Sequence, residues 1–357
     1  MSRFGAVALL GLALGLALSG CASTAAQSIH VGVLLPSDDA GPRWNEADNP
    51  LLENQFKGMD YAFDPDIENV SAPDEATTAA TKMIDDGSKV LVFATANRDV
   101  ATAITTTARK RGIPTVGYGP TGSGDDAGPA DVVVATDYRK VGELAGRALV
   151  RGLRDKNGAT VIQLDSGPTR DAAARIAEGE HNILAPHYHK QMYRLVATAQ
   201  VNPADGRAVT ATLTRMLDAH GGRVDAVLTA SDAVAQAAIA VLRQRGLAGK
   251  TTVTGYGATP EALKAMLRGE QFMTGYTTPE AQATAAATVA KALATGDQAT
   301  VDRLAPARQG GQPRLALVAP TAVALGGIDE VFNSGTVESA DVCDNTLALR
   351  CNQLSIS

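Results

Sequence analysis

Few residues of this chain could do covalent or metal chemistry, and they are scattered. Its 357 residues include five histidines, His30, His181, His187, His189 and His220, and three cysteines. His187 and His189 flank Tyr188, and on an extended segment they would face one side like a pair of metal ligands. No third ligand stands beside them, so the segment reads as a solvated loop joining a helix to a strand. Ser166 lies in "LDSGP", outside the Gly-x-Ser-x-Gly elbow that exposes a hydrolase nucleophile. "GPTGSGDDAGPAD" (119–131) is rich in Gly and Pro. It lacks a Lys-Ser/Thr ending and no helix follows it directly, so it reads as a surface loop and not a phosphate cradle. The sequence thus predicts no enzyme, no metal site and no cofactor. What remains is the chemistry of recognition, by hydrogen bonds and by stacking on a ring.

The cysteines point to a compartment. Arg3 is the only charge before Cys21, and residues 4–18 are Phe, Gly, Ala, Val and Leu alone. A positive start, an apolar core and small residues at a cleavage point make a secretory signal. The run is shorter than the about 20 residues that span a bilayer. Leu18-Ser19-Gly20-Cys21 resembles a bacterial lipobox, which implies a signal peptide over 1–20 and lipidation of Cys21. An ordinary signal peptide cut near Ala-Ser-Thr is the competing reading. Residues 21–28 then form a tether, and the chain is expected to be extracytoplasmic, lipid-anchored to the outer face of the cell membrane. In that oxidising setting Cys343 and Cys351 are expected to form a disulfide. Two free thiols or a metal pair are the alternatives. The net charge of −6 argues against a nucleic-acid partner, which would want a basic face.

The elements that must position any site alternate along the chain. Strands are predicted at 29–36, 89–95, 113–119, 131–136, 159–165, 193–201, 224–230, 251–257, 272–278 and 314–320. Helices are predicted at 99–112, 137–153, 170–184, 206–221, 231–247, 259–270 and 279–296, with Asp137 as an N-cap. Short loops between strands and helices mark α/β architecture with parallel sheets. Length suggests two lobes.

Several segments occur in an order that resembles a family: "GPRWNEAD" after the first strand, "KVLVFATANRDVATAITTTARKRGIPTVGYG", "ATDYRKVGELAGRALV", "AVLTASDAVAQAAIAVLRQRGLAGKTTVTGYGAT" and "LRGEQFMTGYTTPEAQA". Together they are similar to type I periplasmic sugar-binding proteins, especially the xylose-binding branch. The resemblance implies two lobes, each a parallel sheet flanked by helices, with crossings near 135–138, 275–279 and 318–322. The N-terminal lobe would be 29–135 plus 277–318, and the C-terminal lobe 136–276 plus 319–357. It also implies a monomer that closes over a small sugar or polyol and delivers it to an ABC permease in the membrane. Acidic residues such as Asp85, Asp86, Glu178 and Glu261 would meet that permease, or are ordinary solvated helix faces.

Each expected ligand contact follows a predicted strand, where open α/β sheets bind ligands. Arg43 can give paired hydrogen bonds to hydroxyls and Trp44 can stack on a sugar ring; the competing reading is a surface arginine beside a packing tryptophan. Arg170 and Asp171 follow the strand ending at Asp165, with helix capping as the alternative for Asp171. Ser231 and Asp232 stand where the family has Asn-Asp, and Ser231 could simply be an N-cap. Tyr118, Tyr256 and Tyr276 each neighbour a glycine at a strand end, facing the cleft or packing a lobe. The departures are Gly119-Pro120 for an Asp-Arg pair, Gly257 for Asp, Thr277 for Lys, and no second tryptophan near 198–206. They argue against xylose itself. The runner-up function is a ligand-sensing or degenerate-cleft lipoprotein that signals to a membrane partner without transport.

Overall fold

A computed structural model of the chain describes residues 28–37, 44–58, 63–95, 97–118, 130–154, 156–167, 169–308, 310 and 312–356. The signal peptide and Cys21 lie outside the described residues, as does most of the tether.

In chain order the first part comprises β1 (Ile29–Pro36), a π-helical turn Trp44–Asp48, α1 (Asn49–Lys57), β2 (Phe63–Val70), α2 (Pro73–Asp85), β3 (Leu91–Phe93), α3 (Arg98–Lys110), β4 (Thr115–Gly117) and β5 (Val132–Thr136). The middle comprises α4 (Tyr138–Gly152), β6 (Ala159–Asp165), α5 (Arg170–His189), β7 (Tyr193–Gln200), α6 (Gly206–Ala219), β8 (Ala226–Leu228), α7 (Asp232–Gln244), β9 (Thr252–Val253), α8 (Pro260–Leu267) and β10 (Met273–Tyr276). Then follow α9 (Pro279–Thr295), α10 (Gln298–Leu304), β11 (Arg314–Val318), β12 (Thr321–Ala324), α11 (Asp329–Asn333), α12 (Ser339–Val342) and α13 (Ala348–Gln353).

The described strands form a six-stranded sheet in the order β11-β5-β4-β3-β1-β2 and a four-stranded sheet in the order β7-β6-β8-β9. Both are parallel throughout. The expected class, α/β with parallel sheets flanked by helices, is what the structure has. Covering both faces of a sheet demands apolar residues on both sides of a strand, and β1 shows it. Val31, Val33 and Leu35 join the core under α1 and α9, while Leu34 joins the core under α2 and α3. In β6, Val161 faces α4 and α5 and Ile162 faces α6 and α7.

Helix starts follow the capping rule that a short polar side chain accepts from a free N–H of the first turn. Asn97, Asp137, Thr169, Asp205, Ser231, Thr259 and Thr278 all do so. Helices α4 and α5 cross at bare backbone. A Cβ on Gly142 would stand 1.9 Å from the carbonyl oxygen of Ile176, and one on Gly179 would stand 2.0 Å from that of Arg139.

The chain leaves or re-enters the first sheet at three crossings, one to the second sheet and two to a ribbon of β10 and β12. After β5 it enters α4, which packs on α5, β8 and β10. After β10 it enters α9, which packs on α1 and on strands of the first sheet. After β11 it enters β12, which pairs antiparallel with β10, Tyr276 opposite Thr321. The second sheet therefore does not run on from β9 to β10; these last strands form a ribbon of their own. Under that ribbon the C-terminal helices build a small core with Leu263, Met266, Tyr276 and Val331. Cys343 and Cys351 are joined within it, sulfur to sulfur, at 2.07 Å.

Two readings of the sequence need correction. Residues 185–189 are not a loop: α5 continues through Pro186 to His189. His187 stacks on Tyr193, ring centroids 5.1 Å apart, and no group of metal-ligating side chains exists among the described residues. The stretch 49–85, given no elements above, holds α1, β2 and α2. β2 reads FDPDIENV, polar and carrying a proline. It is a strand because it lies at the sheet edge beside β1, where a missing N–H is tolerated, with Pro65 opposite Val31.

Candidate functional site

The crossings after β5 and after β10 border a cavity of about 600 Å³ that takes walls from both sides. Ala47, before α1, and Gln282, in α9, come from elements packed on the first sheet. Tyr256, Gly257 and Tyr276 come from the far side, with Thr336 and Val337 from the C-terminal segment. Thr136 and Thr277 belong to the crossings themselves, and both line the cavity.

These crossing residues share one chain of hydroxyls. Thr136 Oγ1 lies 3.1 Å from Thr277 Oγ1, and Tyr256 Oη lies 2.8 Å from the same Thr277 oxygen. Burial raises the Tyr256 phenol above its ordinary value, and hydrogen bonds to Thr277 and Thr136 oppose the shift. The hydroxyl therefore stays neutral, able to donate or to accept. Gly257 gives the wall its shape. Its φ is +137°, and a Cβ there would come within 3.3 Å of Asp232 Oδ2.

Of the residues singled out in the sequence, Tyr256, Gly257, Tyr276 and Thr277 line this cavity, and Trp44, Tyr118, Arg170, Asp171, Ser231 and Asp232 are not among its lining residues. Tyr276 is only 4% exposed, and its hydroxyl reaches Glu330 O and Ser334 Oγ, each at 3.4 Å. Asp232, expected as a ligand contact, is an internal hub here. It is 2% exposed and accepts from Thr259 N at 3.0 Å, Gln271 Nε2 at 2.9 Å and Thr274 Oγ1 at 2.9 Å. It thereby ties α7 to α8 and β10. Burial raises its pKa, with these hydrogen bonds acting against the shift. Ser231 caps α7, accepting from Val234 N at 3.4 Å.

Trp44 and Tyr118 are also buried within the fold. Trp44 is 6% exposed and lies in the apolar cluster that also holds Leu35, Leu52 and Phe56, which leaves little face for stacking. Tyr118 is buried in that cluster too and donates its hydroxyl to the buried Asp48. Arg170 and Asp171 stand exposed at the start of α5, where Asp171 pairs with Arg175 at 2.8 Å. Arg43, Gly119 and Pro120 lie outside the described residues. Among the acidic surface residues, Asp85 pairs with Arg111 at 2.8 Å and Glu178 with Arg139 at 3.4 Å.

Sequence reasoning missed Thr136, Tyr138 and Gln282 as wall residues. Thr136 and Tyr138 lie within the first expected crossing, and a crossing is by construction next to the space between the parts it joins; that signal was in the sequence. Gln282 carried none.

Two parallel sheets flanked by helices, with a cavity at the crossings, define the fold of a bilobal α/β protein. The family described as "Periplasmic binding protein domain" matches residues 31–298, and the chain belongs to that family. The D-xylose-binding periplasmic protein of Haemophilus influenzae is 27% identical over 256 residues, 71% of this chain and 74% of the relative. Among solved structures, an ABC transporter solute binding protein from Clostridium phytofermentans with bound beta-D-glucose superposes with a TM-score of 0.58 at 21% identity. That match covers 88% of this chain and 99% of the other. A solute binding protein from Bacillus halodurans C-125 with bound myo-inositol gives 0.55 at 18% identity, covering 87% and 100%. The sequence resemblance to the xylose-binding branch is thus matched by a relative, and the structural likenesses bear on the fold.

Proposed function

We propose that this protein is the solute-binding component of an ABC-type importer and that it holds a neutral polyhydroxyl ligand, a sugar or polyol, between two closing lobes. In this reading the lobes are 29–135 with 277–318 and 136–276 with 319–357. The observation that carries it is the chain Thr136–Thr277–Tyr256 on the wall of the crossing cavity. Hydroxyls in series donate and accept in turn, which matches a ligand whose own hydroxyls do the same. The relatives named for D-xylose, and the similar folds solved with glucose and myo-inositol, support the class.

Xylose itself is not proposed. Thr277 and Gly257 stand where the resemblance implies charged side chains, and each charged hydrogen bond lost is worth about 1.5–3 kcal/mol. The protein is further proposed to act as a monomer, outside the cytoplasmic membrane. Cleavage after residue 20 and a lipid on Cys21 would hold it there, since several acyl chains anchor stably where one does not.

A thermal-shift screen against monosaccharides, polyols and inositols tests the ligand class. A compound at a hundred times its Kd should stabilise by about 2.7 kcal/mol, and Tyr256→Phe should shrink that response. A screen without any response would favour the second reading, a sensing lipoprotein whose cleft has lost its sugar. That reading draws on the internal engagement of Trp44, Tyr118 and Asp232.

A further inference from the structure

A second, larger cavity, about 810 Å³, shares no lining residue with the one at the crossings. It opens between α5 and β7, the strand at the edge of the second sheet. Glu180, in the middle of α5, lines it and is 2% exposed. Among the described residues its carboxyl accepts one hydrogen bond, from Gln163 Nε2 to Oε2 at 2.9 Å. The same nitrogen donates to Asp165 Oδ1 at 2.7 Å. No cationic side chain pairs with Glu180 among the described residues. Arg194 and His181, which also line the cavity, are both exposed. Burial, reinforced by the charge of Asp165, holds the Glu180 carboxyl well above the ordinary carboxylate range.

Two turns further along α5, Tyr188 lines the same space, and its buried hydroxyl has no hydrogen-bond partner among the described residues. Buried polar groups in folded proteins are almost always satisfied. Here a carboxyl held by one amide and an orphaned phenol share a single cavity. Leu184 and Leu195 add apolar surface to the wall beside Tyr193, whose ring is stacked on His187, and Gln191 and Thr198 add polar groups.

We propose that this cavity is a second binding site and that it takes a small organic ammonium ion with an apolar body. On binding, Glu180 releases its proton to solvent and as carboxylate supplies the counter-charge, and the Tyr188 oxygen accepts from the ammonium N–H. Leu184, Leu195 and Tyr193 pack the body of the ligand.

Calorimetric titration of the full chain with n-butylammonium and phenethylammonium chloride tests this, with 1-butanol and 2-phenylethanol as uncharged controls. Both ammonium ions should bind, and the alcohols should bind about ten-fold more weakly or not at all, because charge-assisted hydrogen bonds are the stronger kind. Glu180→Gln keeps the size and removes the charge, and should weaken ammonium binding by about ten-fold. Tyr188→Phe should weaken it by a smaller factor, and it carries the test alone if the glutamine variant does not melt cooperatively. Neither variant should change the response to a compound held at the crossing cavity. Absence of heat with both ammonium ions, equal binding of the alcohols, or affinity unchanged in the folded variants would overturn the proposal.

Discussion

At Asp232, donors from Thr259, Gln271 and Thr274 converge on one carboxylate that water barely reaches. Removing it would strand those donors inside the lobe, and each buried unsatisfied group costs about 1–3 kcal/mol. Asp232→Ala should therefore lower unfolding free energy by about 3 kcal/mol in urea titrations; a loss below about 1 kcal/mol would deny it the hub role. Glu180 makes a different prediction, in pH. Burial and Asp165 raise its pKa, so the folded protein holds that proton more tightly than the unfolded chain, where a glutamate titrates near about 4.3. The stabilisation is complete below that value and is lost as pH rises through the raised one. Melting temperatures taken from about pH 4 to about pH 8 should move in favour of Glu180→Gln relative to the unaltered protein. A constant gap would mean that Glu180 titrates alike in both states. Residue types were legible in the sequence, and side-chain direction was not. An aspartate after a strand fits a cleft or a hub equally, and three donors brought together from distant segments decide which.

Among the elements, strands buried on both faces, such as "IHVGVLLP", were legible because an apolar run leaves one reading. β2 was not, since its strand character comes from pairing with β1 and not from FDPDIENV itself. The length of α5 was hidden by Pro186 and by two histidines that suit a loop. The α4–α5 crossing depends on what is absent: with Gly142 against the Ile176 carbonyl, the helices approach backbone to backbone. Gly142→Ala should force them apart and destabilise by about 1–3 kcal/mol, as overpacking does. Circular dichroism melts would show it, and an unchanged midpoint would mean that the crossing adjusts freely. The same substitution at Gly269, where nothing lies within 4 Å of the added carbon but φ is +73°, would report backbone strain alone.

For the whole molecule, the pattern of alternating elements gave the class, and the ordered segments gave the family that residues 31–298 match. The cavity was less legible, because it is made where crossings distant in sequence meet. If the lobes close on a ligand, small-angle scattering should show a smaller radius of gyration at saturation than without ligand, as hinge closure requires. Identical curves would argue for a site already shut. The crossings also impose an order in time. β5 gains its outer neighbour only when Arg314–Val318 has been made, and β10 gains its own only with Thr321–Ala324. Pairings between such remote segments form late, because the loop between them must close first. A chain emerging from the ribosome therefore shows an open β5 edge through most of its synthesis. Until the last stretch arrives the first sheet lacks its sixth strand, an edge on which a chaperone can act.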